Sequence, residues 1–157
     1  MSSQRILVTG GAGFIGSHVV DALIERGAAA LVVDDLSSGN EANVNEQATL
    51  VRIDIRDAAA LSQAASEFAP TGVCHLAAQA SVTASVRDPN FDMAVNVEGT
   101  LNVLEAARAN AAPIVFASTG GALYGDGAPV PTSESFAPEP LSPYGASKLA
   151  AEAYITT

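Results

Sequence analysis

Cationic residues are scarce in this 157-residue chain, with seven Lys plus Arg against 17 Asp plus Glu and a formal net charge of −10. No basic face can neutralise a run of phosphates, so the charge excludes a nucleic-acid partner. Lysine is scarcer still: Lys148 is the only one, and the other six cations are arginines. Long apolar runs are also missing. The longest, Ala28 to Val33, has six residues, far below the roughly 18 that suggest a membrane span. The single Cys74 cannot form an internal disulfide, and with only His18 and His75 beside it no metal-ligand cluster is expected. The opening residues hold only Ile6, Leu7 and Val8 as a strongly apolar stretch, which is no secretory signal. A reducing cytoplasm is the expected location.

What is present is 48% apolar and 15% charged, which predicts one compact domain over 1–157. Short β-branched runs at Arg5–Thr9, Leu31–Val33, Leu50–Ile53, Val73–His75 and Ile114–Phe116 read as buried parallel strands. Between them the spacing predicts helices over Phe14–Glu25, Ala58–Phe68 and Phe91–Ala109, with a last one from Tyr144 to the end. The order is βαβαβ and beyond, so the expected fold class is α/β, a Rossmann-type parallel sheet with helices on both faces. Gly27 is expected just past the first helix, Asp57 as a cap, and Pro89 in the first turn of the long helix. Five prolines, Pro143 included, from Tyr124 to Pro143 predict a long loop.

Directly after the first strand comes Gly10-Gly-Ala-Gly13-Phe14-Ile15-Gly16, opening the first helix. Backbone must approach a pyrophosphate closely while a helix N-terminus aims N–H groups at it. A Cβ at Gly10 or Gly13 would obstruct that approach, and Gly16 lets the helix pack on its strand. The second strand ends in Asp34, 18 residues after Gly16, where a carboxylate can bind a ribose diol. The motif in this context predicts dinucleotide binding. Asp34-Asp35 would repel an adenosine 2′-phosphate, and no cation lies between Arg26 and Arg52, so NAD is expected rather than NADP. Asp54-Ile55, after the third strand, reads either as an adenine contact or as an exposed helix-capping acid.

Tyr144-Gly-Ala-Ser-Lys148 sets two titratable side chains at i and i+4 on one helix face. A neighbouring ammonium favours the phenolate, which would make Tyr144 a general base. Arginine cannot replace the compact lysine head on its flexible stem, which gives the solitary Lys148 a reason to be there. A hydroxyl to hold the reacting oxygen is offered by Ser118 and Thr119 at the end of the fifth strand, where this architecture binds ligands. His75 reads as a structural histidine in an apolar wall, Cys74 as a small hydrophobe and Tyr124 as a support for the loop.

The glycine motif, His75-Leu-Ala-Ala78, Asn96, Ser118-Thr119 and the Tyr144/Lys148 pair stand in the order seen in the extended short-chain dehydrogenase/reductases. The chain resembles, nearly end to end, the NAD-dependent nucleotide-sugar epimerases of that superfamily, of the UDP-glucose 4-epimerase type. The resemblance implies a UDP-sugar as substrate, transient oxidation at its 4-position by tightly held NAD, and return of the hydride to the other face. It implies Tyr144 as base and Lys148 as its tuner and ligand of the nicotinamide ribose. Thr119 becomes the oxyanion-side hydroxyl, with Ser118 as the fallback, because one more residue than usual separates Phe116 from Tyr124. It further implies Asn96 near the cofactor, Leu76, Ala77 and Ala78 as the nicotinamide-side wall, the backbone of Phe14 and Ile15 on the pyrophosphate, and the Phe91–Ala109 helix as a homodimer face. Related 4,6-dehydratases carry Asp-Glu after the threonine, where this chain has Gly120-Gly121, which disfavours loss of water.

Members of that family run to about twice this length and continue into a C-terminal substrate domain, which is absent up to Thr157. The expectation is therefore the N-terminal, cofactor-binding half of the architecture, with the fifth strand left as an exposed edge. Most substrate contacts would lie elsewhere, so the isolated chain should turn over poorly. NAD binding without turnover is the competing expectation, and a reductase or dehydratase the weaker one.

Overall fold

The computed structural model describes residues 4–157. In chain order the elements are β1 (Arg5–Thr9), α1 (Phe14–Glu25), β2 (Ala29–Asp34), a 3-10 turn (Glu41–Asn43), β3 (Thr49–Arg52), α2 (Ala58–Phe68), β4 (Gly72–His75), α3 (Val82–Arg87), α4 (Pro89–Met93), a π-helical turn (Ala94–Glu98), α5 (Gly99–Ala109), β5 (Ile114–Phe116), α6 (Gly120–Leu123) and α7 (Pro143–Ile155). They fall into two compact units. The first holds residues 4–78 together with Gly99–Ala117, and the second holds Gln79–Glu98 and Ser118–Thr157.

The first unit is a five-stranded parallel sheet of order β3-β2-β1-β4-β5. Successive residues of a strand point to opposite faces, and in β1 and β2 both sets are buried: Val8, Ala30 and Val32 on one side, Leu7, Leu31 and Val33 on the other. A strand hydrophobic on both faces needs cover on both. On the Val8 side α1 supplies it, inserting Val20 into that cluster. Each such side chain taken wholly out of water contributes about 1.5–3 kcal/mol. Helix α1 stops at Arg26 because Gly27 takes up a φ of +78°, a conformation that would strain a Cβ-bearing residue. Asp57 caps α2 by accepting from Ala60 N at 3.0 Å. Among the described residues the last strand pairs only with β4, and Val115 on it is 70% exposed.

The second unit is helical. Helix α7 begins with Pro143 in its first turn and Ser142 as cap, whose Oγ accepts from Gly145 N at 3.1 Å. Around it pack α3, α4, the π turn and α6. A Cβ at Gly145 would stand 2.3 Å from the Ala122 carbonyl oxygen, so only glycine lets α6 and α7 approach this closely. Residues 124–142 hold no regular element. This loop is pinned where Glu139 N donates to Leu123 O at 2.9 Å and where the rings of Tyr124 and Phe136 meet edge-on at 6.3 Å. Tyr124 thus supports the loop, as expected.

The helix predicted over Phe91–Ala109 differs in detail. It starts two residues earlier, at Pro89 behind the Asp88 cap, and widens into the π turn at 94–98 before α5 begins. There the Asn96 side chain, at the centre of that turn, is hydrogen-bonded to the backbone of Gln79. Helix α3, six residues opening on β-branched Val82 and Thr83, offered too short a stretch for periodicity to register.

Candidate functional site

In the first unit the strand order reverses between β1 and β4, the point where ligands bind in sheets of this kind. The segments leaving these two strands are the glycine loop and Leu76–Ala78. They touch: Gly10 has φ +71°, and a Cβ there would stand 2.7 Å from Ala77 N. The demand for glycine at 10 thus comes first from neighbouring protein backbone. At Gly16 a Cβ would lie 2.1 Å from the Gly10 carbonyl oxygen, so α1 can seat on its loop only without one. A Cβ at Gly13 would meet nothing closer than Gly10 O at 3.3 Å.

Helices α2, α3, α4, α6 and α7 each have a side chain accepting at the N-terminus, from Asp57, Ser81, Asp88, Thr119 and Ser142. Helix α1 has none; Gly13 is its cap residue, and Phe14 and Ile15 beside it are 81% and 64% exposed. Twelve residues of aligned peptide dipoles therefore end on uncapped N–H groups, the chemistry of an anion site. Two side chains from the β2 side stiffen this cradle. Asp34, buried, accepts from Ala12 N at Oδ2 (3.0 Å) and from Leu36 N at Oδ1 (2.9 Å). Asn43 Nδ2 donates to Ala12 O at 3.1 Å, beside the Asn40 N–H at 3.0 Å. Each Asp34 oxygen retains a lone pair for a hydroxyl.

Asp35 folds back on Ser37, accepting from its N and Oγ. Asp54 is held in a fork by Arg56, whose guanidinium keeps that carboxyl below the usual range; the capping acid of α2 is Asp57. The Ile55 side chain is buried, and a Cβ at Gly99 would lie 2.6 Å from it. Its carbonyl accepts from Asn102 Nδ2 at 2.9 Å.

His75 is fully buried and structural. Thr9 Oγ1 accepts from Leu76 N and Ala77 N, both at 3.2 Å, which uses its lone pairs, so its own proton goes to His75 Nδ1 at 2.6 Å. Nε2 then carries the ring hydrogen and donates to Thr100 Oγ1 at 3.0 Å. Thr9 thereby fixes the backbone of the Leu76–Ala78 wall. Cys74 is half-buried beside the Val8 cluster, and burial pushes its thiol up, away from reactivity.

In the second unit Tyr144, half-buried, and Lys148 stand one turn apart on α7. Lys148 is 3% exposed. Burial pulls its ammonium down from 10.5 to about 8, while the charges of Asp92 and then Glu152 oppose that fall. Thr119 caps α6, accepting from Ala122 N at 3.3 Å, which leaves its O–H free to donate; Ser118 before it is exposed. Beside α6 opens a recess of about 180 Å³ lined by Gly121, Ala122, Asp126, Leu141 and others.

Asn96 sits at the centre of this unit. Its Oδ1 accepts from Gln79 N at 2.9 Å, and its Nδ2 faces Gln79 O (2.9 Å), Asp92 Oδ1 (3.0 Å) and Ser147 Oγ (3.2 Å). Ser147 in turn donates to the Tyr144 carbonyl at 3.0 Å. Gln79, Asp92 and Ser147 were not singled out from the sequence. The one available signal was Ser147, on the same helix as the Tyr144/Lys148 pair; the other two become visible only through Asn96.

Among the described residues no helix is long and apolar enough to cross a membrane, and no group of acids, histidines and cysteine could hold a metal ion.

The model of the NAD dependent epimerase/dehydratase family matches residues 6–157. The chain is 48% identical over 151 residues to a putative UDP-glucose 4-epimerase of Methanocaldococcus jannaschii, covering 96% of this chain and 49% of that protein. Among solved structures it is similar to the UDP-glucose 4-epimerase of Thermotoga maritima with UDP-glucose, at TM-score 0.95 and 48% identity over 98% of this chain and 50% of that one. The Thermus thermophilus UDP-glucose 4-epimerase in complex with NAD gives TM-score 0.92 at 49% identity, with 98% and 50% coverage. The chain spans about half the length of these relatives.

Proposed function

The chain belongs to the NAD dependent epimerase/dehydratase family, and we propose that it supplies the cofactor-binding and catalytic residues of a nucleotide-sugar 4-epimerase acting on UDP-sugars. The observation that carries this reading is the Tyr144/Lys148 pair on α7, with the chain's only lysine buried one turn from the tyrosine. NAD fits the residues present. The uncapped N-terminus of α1 takes the pyrophosphate through the backbone at Gly10, Gly13, Phe14, Ile15 and Gly16. Asp34, with Asp35 beside it, takes the ribose diol and disfavours an added 2′-phosphate. Asp54 and Ile55 are assigned to the adenine end. With the Asp54 carboxylate forked by Arg56 and the Ile55 side chain buried, that contact falls to the backbone of the pair. Leu76, Ala77 and Ala78 form the nicotinamide-side wall, and Asn96, Tyr144 and Lys148 complete the set.

When bound, NAD supplies a reversible acceptor for the hydride lost from C4 of the sugar. Tyr144 Oη removes the proton of the 4-hydroxyl, and negative charge passes through that oxygen. The Lys148 ammonium favours that charge. Thr119, or Ser118 as the alternative, donates its hydroxyl to the developing sugar oxygen. The proton held on Tyr144 Oη then returns to the 4-oxygen, so the tyrosine ends the cycle in its starting state and the reaction would invert C4 with no net redox change.

The test is conversion of UDP-galactose to UDP-glucose by the protein extended to the length of its relatives. Tyr144→Phe should lower the rate about a hundredfold or more while NAD remains bound; equal rates would overturn the assignment. Tyr144-dependent turnover by the 157-residue chain itself would rule out the competing reading of a module that holds NAD without turnover.

A further inference from the structure

Asp92 is a buried acid that the proposed reaction does not use. Lying on α4 and 1% exposed, it has one oxygen fixed and one orphaned. Oδ1 accepts from Gln79 Nε2 at 2.8 Å and from Asn96 Nδ2 at 3.0 Å. Oδ2 is buried and has no hydrogen-bond partner among the described residues. A buried carboxylate left half-satisfied costs free energy unless a positive charge stands near it.

The one buried cation of this unit is Lys148, on the helix that packs against α4 and the π turn. The other ionisable groups around it are few. On α7 itself Tyr144 lies one turn before and Glu152, half-buried, one turn after. Arg87 at the end of α3, Asp88 capping α4 and Glu98 in the π turn are all exposed, and α6 carries none. Asp92 is therefore the only fully buried countercharge in the unit. It is also tied to the lysine's helix through hydrogen bonds, since Asn96, which holds Asp92 Oδ1, also donates to Ser147 on α7.

We propose that Asp92 is a positioning residue, the buried countercharge that keeps the Lys148 ammonium charged so that Tyr144 can act as a base. The inference rests on the reading of Lys148 as the tuner of Tyr144. Burial alone drives the ammonium toward the neutral amine, and Asp92 is the larger of the two charges that resist it. Without that charge the amine loses its proton near neutral pH, and with it the positive charge one turn from Tyr144. An amide at 92 would still accept from Gln79 and Asn96, so Asp92→Asn removes the charge and keeps the hydrogen bonds.

Because Lys148 is the only lysine in the chain, selective carbon-13 labelling of lysine gives a single side-chain resonance whose titration NMR can follow directly. The wild-type midpoint should fall near 8, and Asp92→Asn should lower it by about one unit, with Glu152→Gln moving it less. A midpoint unchanged in Asp92→Asn, or moved further by Glu152→Gln, overturns the proposal. Should Asp92→Asn fail to fold by circular dichroism, the wild type decides. Its Asp92 carboxyl carbon, labelled through aspartate, must shift at the lysine midpoint and lose that step in Lys148→Met; no step overturns the pairing. This readout is separate from turnover. An Asp92-controlled midpoint in a protein that does not epimerise keeps the pairing and overturns the epimerase reading alone, and epimerisation with a midpoint indifferent to Asp92 does the reverse.

Discussion

Replacing Lys148 by Met should make the folded chain more stable at neutral pH, and the gain should vanish in alkali. The folded midpoint is about 8 against 10.5 for an unhindered lysine. At 1.36 kcal/mol per unit, keeping the ammonium charged inside the protein costs about 3 kcal/mol, after the attraction of Asp92 and Glu152 has already offset part of the burial. The sign follows from proton counting. Between about pH 8 and 10.5 the unfolded chain holds a proton that the folded chain has released, so wild-type stability rises with pH through that window. Below it the whole penalty is present. Met fills a similar volume without a charge, so urea denaturation at neutral pH should show the variant ahead by up to about 3 kcal/mol. Groups remote from Lys148 titrate alike in both proteins and cancel in the difference, whereas Asp92 and Glu152 lose a countercharge in the variant, which makes the figure an upper bound. A gap between the two that stayed constant from neutral to alkaline pH, or a variant weaker at neutral pH, would refute the claim that Lys148 is charged against its burial.

Other consequences are sharp enough to measure. Thr9→Val keeps the shape but strands Ala77 N and His75 Nδ1, while Leu76 N keeps the Thr9 carbonyl at 3.1 Å; it should cost about 2 kcal/mol in chemical denaturation and speed hydrogen exchange at Ala77 more than at Leu76. Loss of under half of that would mean the hydroxyl is not the clamp. Gly16→Ala forces a methyl to within 2.1 Å of Gly10 O and should cost about 1–3 kcal/mol as well as NAD affinity by calorimetry; an unaffected variant would mean the loop relaxes freely. Asp34→Ala should weaken NAD at least about tenfold by removing a ribose acceptor and the Ala12 anchor, and equal binding of NAD and NADP by the wild type would refute the role given to the acid pair.

The sheet was readable because its strands are apolar on both faces: the runs at Arg5–Thr9 and Ile114–Phe116 begin and end as read. The helices α1 and α2 were readable to the residue, since Gly27 and Asp57 mark the end of one and the start of the other. The second unit was less legible. Its shape depends on Asn96 bonding to Gln79, 17 residues away, and no local pattern reports a side chain that recruits distant backbone from within a π turn. Asp92 looked like any acid on a helix of a strongly acidic chain. Its burial depends on which helices surround it, and periodicity over a five-residue helix carries no such information. The Tyr144/Lys148 spacing was plain in the sequence, but the burial that sets the lysine's charge against its surroundings was not.

The central claim is tested most directly with UDP-galactose carrying deuterium at C4, given with NAD to the protein extended to the length of its relatives. The account predicts UDP-glucose that keeps the deuterium at C4, no accumulation of reduced cofactor, and loss of both product and label transfer in Tyr144→Phe. Label washed into solvent, net formation of NADH, or a 4-keto-6-deoxy sugar as product would contradict it.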